Sequence, residues 1–282
     1  MTSAREDRRE AGADRYSKVY VVSDLHLGGY TGAFDAQRGD WLPAESPQVA
    51  TGEDVRSFRI FRQAHALAWL IDRASAEQGN VALVLNGDIV DFLAAPAALG
   101  FNPKGARAEL ERIMSDPEQA AVWSALQRFV ASGSGDLVIV IGNHDIELAL
   151  HDVNEALLER LTEGQQARRQ RIPFCLDGDG FQCRVGDAQV LAVHGNGVDP
   201  WNEVSYPRLA EFARARQLGT RLPSFRVNAR STLVAHMNRI KRRFQWIDLL
   251  KPETHGAAII TAALDKGVER ADRADAGEHV HA

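Results

Sequence analysis

The chain has 282 residues, 45% of them hydrophobic and 25% charged, and a formal net charge of -5. That is enough apolar material for a large core, and the length suits one large α/β domain, with or without a helical insertion. The charge excludes a general nucleic-acid sponge, and no run approaches the roughly 18 apolar residues of a membrane span.

Residues 1–17 are polar and charged and lack the apolar segment of a signal peptide. They predict a disordered lead and a cytoplasmic address, with peripheral contact at the inner membrane face as a variant. In KVYVVSDLHLGG, Val19, Tyr20, Val21 and Val22 predict a buried strand feeding a loop. Residues 30–53 are rich in Gly, Pro, Asp and Ala and read as an irregular surface loop. Residues 54–78 read as a helix, with Phe58, Phe61, Leu67 and Ile71 near helical spacing and Gly79 beyond the end.

A second strand runs from Val81 to Gly87. The helical stretch after it has Asp116 as N-cap, Pro117 in the first turn, Val122, Leu126, Phe129 and Val130 on one face, and Gly133 at the stop. A third strand runs from Leu137 to Ile141. This alternation predicts a sheet with helical crossovers. Gly186-Asp187 marks a hairpin and hence a second sheet with antiparallel pairing. The two cysteines, Cys175 and Cys183, lie near these strands outside any C-x-x-C pair and read as reduced, partly buried thiols.

From Ser205 to Lys251 the chain reads as helical and basic. It holds eleven Lys/Arg against Glu211 and Asp248, which leaves 22 basic and 36 acidic residues elsewhere, a net of -14. Leu233, Val234, Met237, Ile240 and Phe244 give one amphipathic helix there. Such a charged face is either simply solvated or a lid for an anionic partner: a phosphorylated substrate, a nucleic acid or an acidic lipid surface. Residues 265–282 are polar and read as a disordered tail.

Three strands end in acid, amide or imidazole groups. In an extended segment residues i and i+2 share a side, so Asp24 and His26 can aim at one point. Their oxygen and nitrogen suit zinc, manganese or iron. Gly87-Asp88-Ile89-Val90-Asp91 ends the second strand, and a carboxylate such as Asp88 can bridge two cations. Gly142-Asn143-His144-Asp145 ends the third, an arrangement that chance produces in about one chain in a thousand. There an amide oxygen can ligate and a histidine can act as a general acid. Helix capping explains Asp or Asn after a strand, but not two histidines among the acids at three strand ends. His194 follows another apolar run. Alone it reads as structural; as the fourth member of the set it reads as a ligand. His65, His151, His236 and His255 read as surface or capping residues.

In order, D-x-H, G-D-x-x-D, G-N-H-D and a histidine loop over residues 24–194 resemble the calcineurin-like metallophosphoesterase superfamily. SDLHLGG and HGNGVDPWN are closer to bacterial members similar to the UDP-2,3-diacylglucosamine pyrophosphohydrolases. The resemblance implies a four-layer αββα sandwich over residues 18–264, two face-to-face sheets flanked by helices, with residues 203–252 as a basic helical insertion or cap. It implies two divalent cations, manganese first, with zinc or iron as alternatives. Asp24, His26, Asp88, Asn143 and His194 would be the metal ligands, with a hydroxide bridging the cations as nucleophile. His144 would protonate the leaving oxygen or contact the phosphate, Asp91 would orient His144, and Asn143 would contact substrate; Arg242 and Arg243, from the basic segment rather than the resemblance, are further candidates for substrate contact.

The expected activity is hydrolysis of a phosphate ester or pyrophosphate of a small-molecule or lipid-linked substrate. A nuclease or cyclic-nucleotide phosphodiesterase is the alternative enzyme, and an inactive binding scaffold the alternative of another class. The family's closing G-H-x-H is missing from its usual setting after a strand. Only Gly277-Glu278-His279-Val280-His281 has H-x-H spacing, making His279 and His281 either extra metal ligands or part of a polar tail. Phe92-Leu93 stands where protein phosphatases carry Arg-Gly, which argues against phosphoprotein substrates.

Overall fold

A computed structural model describes residues 15–29, 31–35, 40–43, 56–57, 59–94 and 100–234. Its strands are β1 (Arg15–Tyr16), β2 (Lys18–Val22), β3 (Thr31–Asp35), β4 (Asp40–Pro43), β5 (Arg56–Ser57), β6 (Val81–Asn86), β7 (Gly135–Val140), β8 (Phe174–Cys175), β9 (Phe181–Val185) and β10 (Ala188–Ala192). Its helices are α1 (Ala64–Ser75), α2 (Ala106–Met114), α3 (Ala120–Ser132), α4 (His151–Thr162), α5 (Gln166–Arg169) and α6 (Tyr206–Gln217). Contacts divide the chain into two compact units, Met1–Tyr30 with Arg59–Ala235, and Thr31–Phe58 with His236–Ala282.

The first unit is built on a parallel sheet in the order β2-β6-β7-β8. All six residues of β6 are buried, as befits a central strand covered on both faces. On one face lie the helices. Their apolar residues recur at helical spacing, as with Ala64, Leu67, Ala68, Ile71 and Ala74 of α1, and join Leu83, Leu85, Leu137 and Ile139 of the sheet. Each fully buried Leu or Ile here contributes about 1.5–3 kcal/mol of transfer free energy. On the other face Ala82, Val84, Val138 and Val140 pack against Tyr16, Phe181, Cys183 and Ala192 of a second sheet. That sheet has the order β1-β9-β10. β9 and β10 form the antiparallel hairpin around Gly186-Asp187, and β1 joins β9 in parallel.

The fold is thus α/β, with a parallel sheet and a separate sheet carrying antiparallel pairing. The cap read at Asp116 belongs to a 3-10 turn (Pro117–Gln119) that leads directly into α3: Asp116 accepts from the Glu118 N–H (3.0 Å), Gln119 at the start of α3 makes no side-chain cap, and Gly133 closes the helix in the left-handed region at φ 77°. No helix among the described residues is long and apolar enough to cross a membrane.

Three expectations need correction. β2, read as a buried strand, is an edge strand of its sheet, and its Val21 is exposed. The segment read as irregular, residues 30–53, contains β3 and β4. These form an antiparallel sheet with β5 in the order β4-β3-β5, within the second unit. The strand-forming Thr31, Phe34 and Trp41 were masked by the surrounding Gly, Pro and Ala. The helix read over 54–78 is confined to Ala64–Ser75, because Arg56 and Ser57 are taken up by pairing with β3.

The basic region is only partly helical. α6 ends at Leu218 and Gly219 (φ 65°), residues 220–228 have no regular structure, and helix resumes over 229–234. Phe225 ties the irregular stretch down, its ring 5.0 Å from Phe101 and 6.2 Å from Phe212 of α6. Arg216 binds Asp152 at 2.6 Å. The remainder of residues 203–252, and the lead and tail, lie outside the described residues.

Candidate metal centre

β2, β6, β7 and β10 each run into a short loop, and these four loops carry the chemistry. Parallel pairing continues beyond the strands. Asp24 N donates to Gly87 O (3.1 Å), His26 N to Asp88 O (2.8 Å), Leu27 N to Ile89 O (2.9 Å) and Asp91 N to Leu27 O (2.8 Å). The first two loops are thereby zipped together.

The expectation of an extended D-x-H segment fails in detail. Asp24, His26 and Asp88 have φ of 53°, 45° and 50°, and they are three of the four non-glycine residues with positive φ among those described. Side-chain alternation along a strand therefore does not explain why Asp24 and His26 converge. A kinked backbone, held by the hydrogen bonds above, does. Each left-handed residue costs about 1–2 kcal/mol, and such strain collects at functional sites.

The side chains nevertheless come together. Ligand atoms of Asp24, His26 and Asp88 lie within 4.8 Å of one another. His194 Nε2 is 3.4 Å from Asp88 Oδ2 and 3.2 Å from Asn143 Oδ1. His26 Nε2 is 3.8 Å from the same Asp88 oxygen. The other Asp88 oxygen accepts the His144 N–H at 2.8 Å. Asp88 Oδ2 is therefore the oxygen that faces both His26 and His194.

Each of the three histidines has its Nδ1 occupied. His26 Nδ1–H donates to Asp91 Oδ2 (3.0 Å), His144 Nδ1–H to Asp91 Oδ1 (3.1 Å), and His194 Nδ1–H to the Asn86 carbonyl (3.1 Å). This leaves Nε2 of each for other work. The rings of His26 and His144 meet edge to face at 4.8 Å. Asp91 thus orients two histidines, one more than the sequence suggested.

The electrostatics follow. Burial opposes a charge on Asp91, but His144 and then His26 hold its carboxyl well below the usual range. Burial lowers His144, yet Asp91 and then Asp88 carry it up to about 9. His194 is likewise lowered by burial and lifted by Asp88, to about 9. His26 is raised in the same way, by Asp91 against burial, and Asp88 is held low by His194 and His144 against burial.

The residues fit a divalent cation. The His194 Nε2 proton faces two oxygens, of Asp88 and Asn143, both of which accept hydrogen bonds and ligate hard or borderline cations. Asp24, His26 and Asp88 form a second group around the shared carboxylate. Asp24 is the exposed member of that group and accepts from Ser23 Oγ at 2.6 Å. Arg242, Arg243, His279 and His281 lie outside the described residues.

The sequence reading passed over Asp145 and Asn86. Asp145 is fully buried and accepts from Gly142 N (2.6 Å) and Ile89 N (2.7 Å). Burial, then the charge of Asp88, pushes its carboxyl up to about 7. Its signal was present as the last letter of G-N-H-D, but a helix cap was the local explanation, and its side chain makes no such cap. Asn86, the last residue of β6, orients His194 through a backbone carbonyl, which no side-chain motif can reveal.

Among known families, the model described as calcineurin-like phosphoesterase matches residues 17–247. No curated protein and no solved structure matches the chain.

Proposed function

Because the chain belongs to the calcineurin-like phosphoesterase family, we propose that it is a dinuclear metal-dependent phosphoesterase that hydrolyses a phosphate ester or pyrophosphate of a small-molecule or lipid-linked substrate. The observation that carries this reading is the common setting of His26, His144 and His194. Each has Nδ1 tied to an acceptor, and Nε2 of His26 and of His194 face one oxygen of Asp88.

Asp24, His26 and Asp88 would hold one cation, and Asp88, Asn143 and His194 the other. Manganese is the first choice, with zinc or iron compatible with the same donors. When bound, such cations supply Lewis acidity: they lower the pKa of water and neutralise phosphate oxygens. His144 is cationic at neutral pH by virtue of Asp91, and its Nε2 can give a proton to the leaving oxygen. Asp91 keeps that imidazole in the orientation the transfer needs. Asn143 can donate its amide N–H to a phosphate oxygen while its carbonyl ligates.

Residues 235–252 with Arg242 and Arg243, and the His279-Val280-His281 segment, enter this reading on sequence alone. Of the four layers, three are supported among the described residues: the helices, the larger sheet, and the smaller sheet packed on its other face.

The test is hydrolysis of p-nitrophenyl phosphate, its bis ester and pyrophosphate with added manganese. Asp88→Asn should lower the rate at least 100-fold. His144→Ala should lower it about 10²–10⁴-fold while leaving bound metal unchanged. Equal rates in parent and Asp88→Asn would reject the assignment. Salt-sensitive cleavage of nucleic acid, or turnover of a cyclic mononucleotide, would move the substrate to the alternative enzymes. A protein that purifies without transition metal and stays inert with manganese would be a scaffold.

A further inference from the structure

Asp145 has no place in the ligand set or the proton transfer, yet it joins the two loops that matter most. Its Oδ2 accepts the N–H of Ile89, the residue after Asp88, and its Oδ1 accepts the N–H of Gly142, the residue before Asn143. At 2.7 and 2.6 Å these contacts are at the short end for a carboxylate and a backbone amide. The traffic runs both ways, because Asp88 Oδ1 accepts the N–H of His144 at 2.8 Å. Each loop thus presents a carboxylate to a backbone amide of the other.

Asp88 sits at φ 50°, and its successor's N–H ends on Asp145. The space is closed as well. A Cβ on Gly142 would lie 2.2 Å from Asp88 Oδ1 and 2.9 Å from His194 Nε2.

We propose that Asp145 is a positioning residue that sets the separation of the Asp88 carboxylate and the Asn143 amide, and so the metal affinity of the Asp88, Asn143 and His194 group. The inference rests on the ligand assignment proposed above. Asparagine at 145 keeps the size but turns one acceptor into an NH2 group facing an N–H. One of the two clasps is then lost and the loops part on that side.

The experiment measures Mn²⁺ binding to the full chain by calorimetry, with Leu148→Ala as a control for stability. Leu148 is buried in the same turn, its side chain belongs to the apolar core, and it is not one of the proposed ligands. Asp145→Asn should weaken Mn²⁺ binding about 10- to 100-fold. Leu148→Ala, with a comparable fall in melting temperature, should keep the parent affinity. Binding by Asp145→Asn within twofold of the parent would overturn the proposal, as would an equal loss in Leu148→Ala.

If Asp145→Asn fails to fold, amide exchange on the metal-free parent decides. Ile89 and Gly142 should be protected as strongly as Gly87, whose N–H bonds the Val140 carbonyl at 2.9 Å. Exchange as fast as at an exposed loop amide would overturn the proposal. A parent that binds no Mn²⁺ overturns the metal reading and this inference together. A parent that binds beside an unaffected Asp145→Asn overturns this inference alone.

Discussion

Glu147 is buried three residues beyond His144, and its carboxylate accepts the Asn102 N–H at 3.2 Å. Burial pushes its acid up to about 8, against the lowering effect of that hydrogen bond. Between the ordinary carboxylate range and pH 8 the folded chain therefore binds more protons here than the unfolded one. Stability must fall as pH rises through that window, and the loss is complete above pH 8. Glu147→Gln removes the penalty. It should raise stability at pH 8 by on the order of 3 kcal/mol and change little at pH 4, as read by urea unfolding at both values.

Gly87 makes a different demand. It sits at φ 81°, and a Cβ there would lie 2.3 Å from His194 Nδ1. Gly87→Ala should displace the imidazole and weaken manganese binding at least tenfold, measured by calorimetry. At this scale the ligand candidates could be read directly, because D-x-H, G-D-x-x-D and G-N-H-D name side chains. The left-handed Asp24, His26 and Asp88 could not, since nothing in an Asp or His announces a positive φ when hydrogen bonds from a distant loop impose it.

Local rules predicted α3 well. Asp116 secures the 3-10 turn in front of it twice, accepting from Glu118 N and pairing with Arg59. Asp116→Ala should cost about 1–3 kcal/mol, seen as a lower urea midpoint at unchanged m-value, and should leave manganese affinity untouched. The positions of β2, β6 and β7 were equally legible, their apolar runs being long and bounded, whereas the two-residue β8 was not foreseen. Nor were β3, β4 and β5. Their partners lie across gaps in sequence, and a two-residue strand such as β5 has no period to detect. The same pairing cut short the helix expected before Ala64. The irregular stretch 220–228 escaped notice because Phe225 is held by the rings of Phe101 and Phe212, a tertiary contact with no local signature.

Across the whole molecule the ligand candidates lie on four loops drawn from two sheets. A cation that binds only their assembled form stabilises the fold by mass action, about 2.7 kcal/mol at one hundred times its dissociation constant. Chelator should therefore lower the melting temperature of the metal-loaded protein. Manganese should restore it in the parent and fail to do so in Asp88→Asn, as followed by scanning calorimetry. The alternation of strand and helix made the larger sheet and its open loop ends readable in advance, whereas the attachment of β1 to β9, between residues 15–16 and 184–185, was not.

The spread of those loops along the chain also sets an order of events during synthesis. Asp24, His26, Asp88 and Asn143 leave the ribosome well before His194, which must wait for the β9–β10 hairpin ahead of it. On the proposed ligand assignment, a nascent chain halted before that hairpin would offer a cation only an incomplete cage, from which the ion could depart as easily as it came. Tight capture would begin only with the arrival of the second sheet, so a bound ion would mark molecules in which both sheets have formed.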